Sequence, residues 1–361
     1  MAKYQQVVDW VQSRLSSREL HPGAKLESEN EISEMFQISR QTVRHALKVL
    51  HQEGIIVTRQ GSGTYIRNPE DDSNVWGVSR TINIISTYVD SYIFPRIIQS
   101  MGQTLGAAEY GINLMFTQNQ LEAERKILRR ILAENSREAI IAEPVMSGLP
   151  NPNAELYRRL QDRGIPILFF HSFYPELTIP HIIVNDSMAG QIAAEYLLSQ
   201  GHRNIAAIFK VDDGQGMERY KGYLKALMQA DIPVNSSRVI WIDTETQRNL
   251  SEIAPWIVKR MEGCTACVCY NDDVAHSLTA ILQENHLRIP EDISLVSIDN
   301  SELASLNSVS LTSVSHPMEK LGRKVAENML RLLSNPGFDA NYEFTPELTV
   351  RESVCVRGAE A

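Results

Sequence analysis

The chain has 361 residues, 43% of them hydrophobic, with 35 Lys/Arg against 44 Asp/Glu and a net charge of −9. That length predicts two or three domains with ample core, and the acidic balance excludes attraction to nucleic acid as a property of the whole chain. No apolar run approaches the ~20 residues needed to cross a bilayer, and the opening MAKYQQVVDW lacks the apolar stretch of a secretory signal; a cytoplasmic protein without a membrane partner is expected.

Residues 28–66 give the first clear elements. Ser28 and Glu31 form an S-x-x-E capping box that predicts a helix start. A second start falls at Ser39, after which Val43, Ala46, Leu47 and Leu50 form one apolar helical face that Gly54 can end. Ile55–Arg59 and Thr64–Arg67 flank Gln60-Gly61-Ser62-Gly63, which predicts a hairpin. Residues 1–70 hold nine Lys/Arg and eight Asp/Glu, about +1, leaving about −10 for the remainder. Arg40, Arg44, Lys48, Arg59 and Arg67 oppose the single acid Glu53 between Ser39 and Arg67. Two helices and a cation-rich wing supply a helix for the major groove and a ribbon beside it, so double-stranded DNA is the expected partner.

Lys3-Tyr4, Leu20-x-Pro22-Gly23-x-x-Leu26, SRQTVRHAL and EGIIVTRQGSGTYI resemble the GntR family of bacterial repressors over nearly all of residues 1–67. Glu27 departs from the pattern, standing where that family often has proline. At the exposed start of the second helix, Arg40 and Arg44 suit guanine and Gln41 suits adenine. Ser39 and Thr42 suit phosphate contacts or capping. Arg59 adds to the wing's charge, and Gln60, Gly61 and Gly63 form its tip. The resemblance further implies that Lys3 and Glu29 lie near DNA.

Residues 68–80, polar and acidic, are expected to be a linker. Beyond them nine strand-like apolar runs, at 82–87, 112–118, 139–144, 166–171, 181–186, 204–210, 239–243, 264–270 and 293–299, alternate with segments of helical spacing such as 121–135, 187–200, 248–262 and 273–286. Alternation of this kind predicts parallel sheets covered on both faces, and so many units predict two doubly wound lobes with a ligand crevice at the strand carboxyl ends. Cys264, Cys267 and Cys269 lie in one such run; with Cys355 they read as small apolar residues of a reducing compartment rather than a metal site. No cofactor is expected.

IIVNDSMAGQIAAEYLLSQGHRNIAAI, ERYKGYLKAL, CYNDDVAHSLTAILQENHLRIPEDISLVSIDNS and LTSVSHPMEKLG are similar to the lactose/galactose-repressor sensor domain, whose fold is shared with periplasmic sugar-binding proteins. The fold class is therefore α/β: an N-terminal winged helix-turn-helix (1–67), a linker (68–80) and a two-lobed, doubly wound periplasmic-binding-protein-like domain (81–361) for effector binding and dimerisation. The resemblance implies hinge strands that cross twice between lobes, with lobe one at about 81–184 plus 318–345 and lobe two at 185–315 plus the C-terminal strands.

A sugar needs carboxylates and amides that clasp adjacent hydroxyls. Candidates at strand ends are Tyr88, Asp90, Glu143, His171, Asp186, Asn271 with Asp272, and Asp299, though acids after strands also cap helices and turns. The resemblance adds Arg219. Phe170, Phe173, Tyr174 and Trp256 are further candidates for the crevice wall. The pairing of this head with this sensor resembles the bacterial arabinose repressors, which implies a homodimeric, non-enzymatic repressor released from its operator by a small sugar, L-arabinose first and another monosaccharide or a sugar phosphate second. A head fused to a pyridoxal-phosphate enzyme would need a longer C-terminal part, and a periplasmic binding protein would carry a signal peptide and no head.

Overall fold

The computed structural model describes residues 3–17, 19–52, 55–59, 63–66, 80–89, 92–134 and 138–358. The chain forms two units, Met1–Ser79 and Arg80–Ala361.

In the first unit α1 (Lys3–Ser16), α2 (Glu29–Phe36) and α3 (Arg40–Gln52) precede the hairpin β1 (Ile56–Arg59) and β2 (Gly63–Ile66). The anticipated capping box is present: Ser28 Oγ accepts from Glu31 N, and Glu31 Oε2 accepts from Ser28 N at 2.7 Å. Ser39 Oγ likewise accepts from Thr42 N at the start of α3. Val43, Ala46 and Leu50 are buried against Val7, Val8 and Val11 of α1 and Ile32 of α2, closing a small core of their own. The wing is antiparallel, with Arg59 opposite Gly63, so its second strand begins one residue earlier than expected. The Pro22-Gly23 segment also gains a reason: Gly23 N donates to Ile66 O and Leu26 N to Thr64 O, lacing this stretch onto the outer wing strand. Glu27 accepts from Arg14 Nη1 at 2.7 Å, an ion pair that a proline there could not make. Gly54, Gln60, Gly61 and the segment 67–79 lie outside the described residues.

The second unit holds two six-stranded sheets. All nine anticipated runs are strands: β3 (Thr81–Ser86), β4 (Gly111–Phe116), β5 (Ile140–Ala142), β6 (Ile167–Phe170) and β7 (His181–Val184) in the first lobe, and β8 (Ile205–Lys210), β9 (Val239–Ile242), β10 (Ala266–Cys269) and β11 (Ser294–Asp299) in the second. Three further strands are β12 (Thr312–Ser315), β13 (Tyr342–Phe344) and β14 (Leu348–Thr349). The orders are β13-β7-β6-β5-β3-β4, wholly parallel, and β14-β12-β11-β10-β8-β9, parallel except for β14. Helices cover both faces of each sheet: α4 (Phe94–Ala107) and α13 (Met318–Ser334) against α5 (Leu121–Ala133) and α6 (Ala154–Asp162), then α7 (Asp186–Ser199) and α8 (Gly214–Gln229) against α10 (Ala254–Arg260) and α11 (Asp272–Glu284).

Two expectations need correction. The segment 248–262 is not one helix: α9 (Thr244–Arg248) stops at Asn249, a 3-10 turn follows at Leu250–Ile253, and Pro255 opens α10, where its fixed φ and missing N–H do no harm. The chain also passes between the lobes three times rather than twice, at 184–186, 315–318 and 344–348, matching the expected lobe bounds but not the expected count of two, because the short edge strands β13 and β14 lie in different sheets. Cys264, Cys267 and Cys269 are buried in and beside β10 as core residues.

Candidate functional site

In the head, Arg40, Gln41, Arg44 and Lys48 are exposed on α3, and Thr42 is half-buried with its hydroxyl 2.9 Å from Ser39 Oγ. Arg44 Nε donates to Glu29 Oε2 at 2.9 Å, joining the first turn of α2 to the second turn of α3. Glu29 thereby holds the Arg44 guanidinium, a relationship that spacing alone did not reveal. Lys3 is exposed at the start of α1. Gly63 has φ 122, a value disfavoured for other residues, and Lys25 Cε would lie 2.9 Å from any Cβ there. Arg59 belongs to β1.

In the second unit a cleft of ≈ 570 Å³ lies between the lobes at the carboxyl ends of the strands, where ligands of open α/β sheets bind. Tyr88, Glu143, His171, Arg219, Asn271 and Asp299 line it, which brings together six of the expected residues from five strand ends and one helix. Asp90 lies outside the described residues. Asp186 does not reach the wall and acts one layer behind, accepting from Arg219 Nε at 2.8 Å. Asp272 must be set apart. Its carboxylate is fully buried and accepts from Ser297 Oγ, Ser313 Oγ and Ser301 N at 2.5–2.6 Å, so it ties the start of α11 to β11, β12 and the loop after β11 instead of facing the cleft. Phe170 and Tyr174 are core, and Trp256 is exposed on α10 against Arg260.

Arg219 is the hub of the floor. It is 2% exposed, donates to Asp186, to Tyr270 O at 2.6 Å and to Asp299 Oδ1 at 3.0 Å, and stacks on the Tyr270 ring. Burial alone would lower its pKa, but Asp299 and Asp186 together raise it. Burial opposes ionisation of Asp299 too, yet Arg219 holds that carboxyl below its ordinary range. Asp186, sharing the same guanidinium, is raised because burial prevails. The placement of Arg219 depends on two glycines at the α7–α8 crossing: a Cβ on Gly190 would meet Arg219 O at 1.9 Å, and one on Gly222 would meet Ser187 O at 1.8 Å. Asn271 lends its Oδ1 to Val274 N as a helix cap, leaving its amide N–H groups for the cleft.

Glu143 is immobilised by Thr87 N, Thr87 Oγ1 and Ser86 Oγ, with its other oxygen 3.1 Å from His171 Nδ1. Burial would lower the His171 pKa, but Glu143 raises it above the usual value. Tyr92, Asn119, His171 and Asp299 all hold left-handed backbone, with φ 62, 59, 66 and 102. Such conformations are costly for side-chain-bearing residues and concentrate at binding sites.

Several wall residues were not anticipated. Lys210, the last residue of β8, donates to Asp213 Oδ2 at 2.7 Å, and Tyr270 donates to the same oxygen. Burial opposes both charges, but each holds the other ionised, Lys210 upward and Asp213 downward. Tyr92 donates to Asp299 Oδ2 at 2.7 Å and accepts from Asp272 N, bridging the lobes. Gln215 and Arg248 also line the cleft. A lysine ending a strand buried on both faces was a legible signal for Lys210; Tyr92 offered none.

Comparison with known proteins agrees with this architecture. Residues 3–66 match the model of the bacterial regulatory proteins of the gntR family, and residues 194–354 match the periplasmic binding protein-like domain. The chain is 34% identical over 358 residues to the arabinose metabolism transcriptional repressor of Geobacillus stearothermophilus, covering 98% of both. It is 32% identical to the protein of the same name from Halalkalibacterium halodurans, covering 99% of this chain and 98% of that one. The crystal structure of transcription regulator CcpA of Lactococcus lactis superposes with a TM-score of 0.67 at 22% identity, over 76% of this chain and 98% of that chain. A winged head, two doubly wound lobes and full-length similarity to named repressors converge: the chain belongs to the family of the arabinose metabolism transcriptional repressors, with a GntR-type DNA-binding head joined to a sugar-sensing domain of the lactose-repressor type.

Proposed function

We propose that this repressor is a cytoplasmic homodimer that holds a palindromic operator through its two heads and lets it go when L-arabinose enters the cleft, without chemical turnover. The observation that carries the effector is the wall itself. It offers fixed donors on Arg219, Lys210 and Asn271, and acceptors on Asp299, Asp213 and Glu143. Its cations are already matched: Arg219 by Asp186 and Asp299, Lys210 by Asp213, and Arg248 by Glu245 at 2.8 Å. A pre-neutralised wall of this kind favours a neutral polyol over a sugar phosphate, whose charge would find no unmatched cation among these residues. The names of the 34% and 32% identical relatives point to arabinose among neutral sugars. A single head presents few base-reading groups, so two heads on half-sites one helical repeat apart supply affinity.

Sugar acts only through its differential affinity for the conformation that cannot hold operator. The cleft supplies that difference, since groups from both lobes surround the ligand only when the lobes are closed. Thermal unfolding against a panel of monosaccharides tests the reading. L-arabinose at 100 times its dissociation constant should stabilise by about 2.7 kcal/mol, and stabilisation by a different sugar with none by arabinose would reassign the effector.

A further inference from the structure

Closure of the cleft has its own recognition element, set along the rim of the wall that faces the sugar. The three hinge passages lie at the β7/β13 and β12/β14 edges of the two sheets, so the opposite edges travel farthest when the lobes move. Between the hinge and those edges, and at the edges themselves, the lobes touch directly. The loop after β5 in lobe one meets the loop after β8 in lobe two: Gly148 N donates to Asp212 O at 3.1 Å, and Ser147 Oγ accepts from Gly214 N at 3.0 Å. Asn119 adds bonds to Thr244 Oγ1 at 2.7 Å and to Asp213 Oδ1 at 3.2 Å.

Two features make this contact more than incidental touching. Gly214 is the first residue of α8, and Asp213, at its N-cap, provides no side-chain cap. Ser147 therefore satisfies, from the other lobe, one of the unpaired N–H groups at the start of the helix that carries Arg219. The approach is also backbone to backbone. A Cβ on Gly148 would lie 2.5 Å from Val211 O and 3.0 Å from Asp213 O, both of lobe two. Real Cβ atoms do not tolerate such contacts with main chain, so this arrangement of the lobes requires glycine at 148, and separating the lobes would remove the contacts with Val211 and Asp213.

We propose that Gly148 and Ser147 form a closing clasp, through which lobe one caps α8 and locks the sugar-bound, operator-releasing state. This rests on the reading of the cleft as a sugar site that closes, and adds to it the positioning residues that determine closure. Gly148→Ala should then give a repressor that folds and binds operator normally but resists induction.

The test is small-angle scattering of the full-length protein with and without saturating L-arabinose, paired with operator release by fluorescence anisotropy. Gly106→Ala is the control, since a Cβ there meets nothing within 4 Å among the described residues. Wild type and Gly106→Ala should contract and release operator. Gly148→Ala should keep its sugar-free dimensions and need roughly ten- to a hundredfold more sugar for release, with an unchanged sugar-free melting temperature. Ser147→Ala, which removes the cap together with the bond from Ser172 Oγ at 2.8 Å within lobe one, should shift release in the same direction by a smaller factor, and guards against a folding defect in Gly148→Ala. Contraction and release by Gly148→Ala at wild-type sugar concentrations would overturn the clasp while leaving the sugar reading intact. A wild-type chain that neither contracts nor releases operator with arabinose would overturn that reading, and the clasp with it.

Discussion

Arg219 and Asp299 stand 80 residues apart in the chain and meet at 3.0 Å on the cleft floor, with Asp186 on the guanidinium's other side. One cation divided between two buried acids is a scaffold and, under the proposed function, a binding surface as well. Removing it strands two carboxylates, so Arg219→Ala should cost about 3–5 kcal/mol of folding stability as well as sugar affinity. Asp299→Asn keeps the shape and isolates the binding role. It should weaken sugar binding by about 1–3 kcal/mol by calorimetry and leave sugar-free operator binding intact. Unchanged sugar affinity in Asp299→Asn would place the site elsewhere.

Asp272 tests the distinction between a wall residue and a brace. Burial and the nearby Asp299 raise its pKa to about 6, against the pull of Ser297, Ser313 and Ser301. Asp272→Ala leaves three donors unpaired and should lower stability by roughly 2–4 kcal/mol in denaturant unfolding, while the folded fraction binds sugar nearly as well as wild type. A normal melting curve with more than a tenfold loss of sugar affinity would instead bring its carboxylate into the cleft.

His316, in the second hinge passage, makes acid a destabilising condition. Its ring is buried without a hydrogen-bond partner among the described residues, 5.1 Å from His171, and burial followed by His171 pushes its pKa to about 3, against Asp299 and together with Arg219. A histidine kept neutral in the fold contributes stability that is whole above its unfolded value near 6.5 and is lost as pH falls towards 3. The loss should amount to about 4–5 kcal/mol over that window. His171, raised by Glu143, runs the other way: its contribution is present below 6.5 and fades as pH rises through its folded value. Urea unfolding from pH 7 to 4 should therefore show an acid limb that His316→Phe flattens. An unaltered limb in that variant would assign the proton uptake to another group.

The lobes were legible because buried parallel strands read as continuous apolar runs, and nine such runs became nine strands. What failed was shorter than the pattern. Tyr342–Phe344 and Leu348–Thr349 are three and two residues long, too brief to show a period, so the third passage was legible only in the expected lobe bound at 345 and not as strands. Within the cleft, residue type and strand-end position located Glu143, His171, Asn271 and Asp299. They could not separate Asn271, on the wall, from its neighbour Asp272, turned into the strands, since helical rotation decides between adjacent positions. Tyr92 was hidden because its role comes from a left-handed backbone and a partner 207 residues away.

In the head, the Arg44–Glu29 pair gives mutagenesis a direction. Arg44→Ala should weaken specific operator binding by about 1–3 kcal/mol and relax specificity at one position per half-site. Glu29→Gln releases the guanidinium from its partner; it should change which base is preferred more than it changes affinity for random DNA. Equal loss on operator and random sequence in Arg44→Ala would make that residue a phosphate contact.

Operator release followed against sugar occupancy in one sample bears most directly on the whole account. With labelled operator bound to full-length protein, L-arabinose should lower the anisotropy with a midpoint that tracks the calorimetric binding of the sugar, and Asp299→Asn should shift both midpoints together. Sugar that binds while the operator stays in place, or operator that leaves at a sugar concentration unrelated to binding, would contradict it.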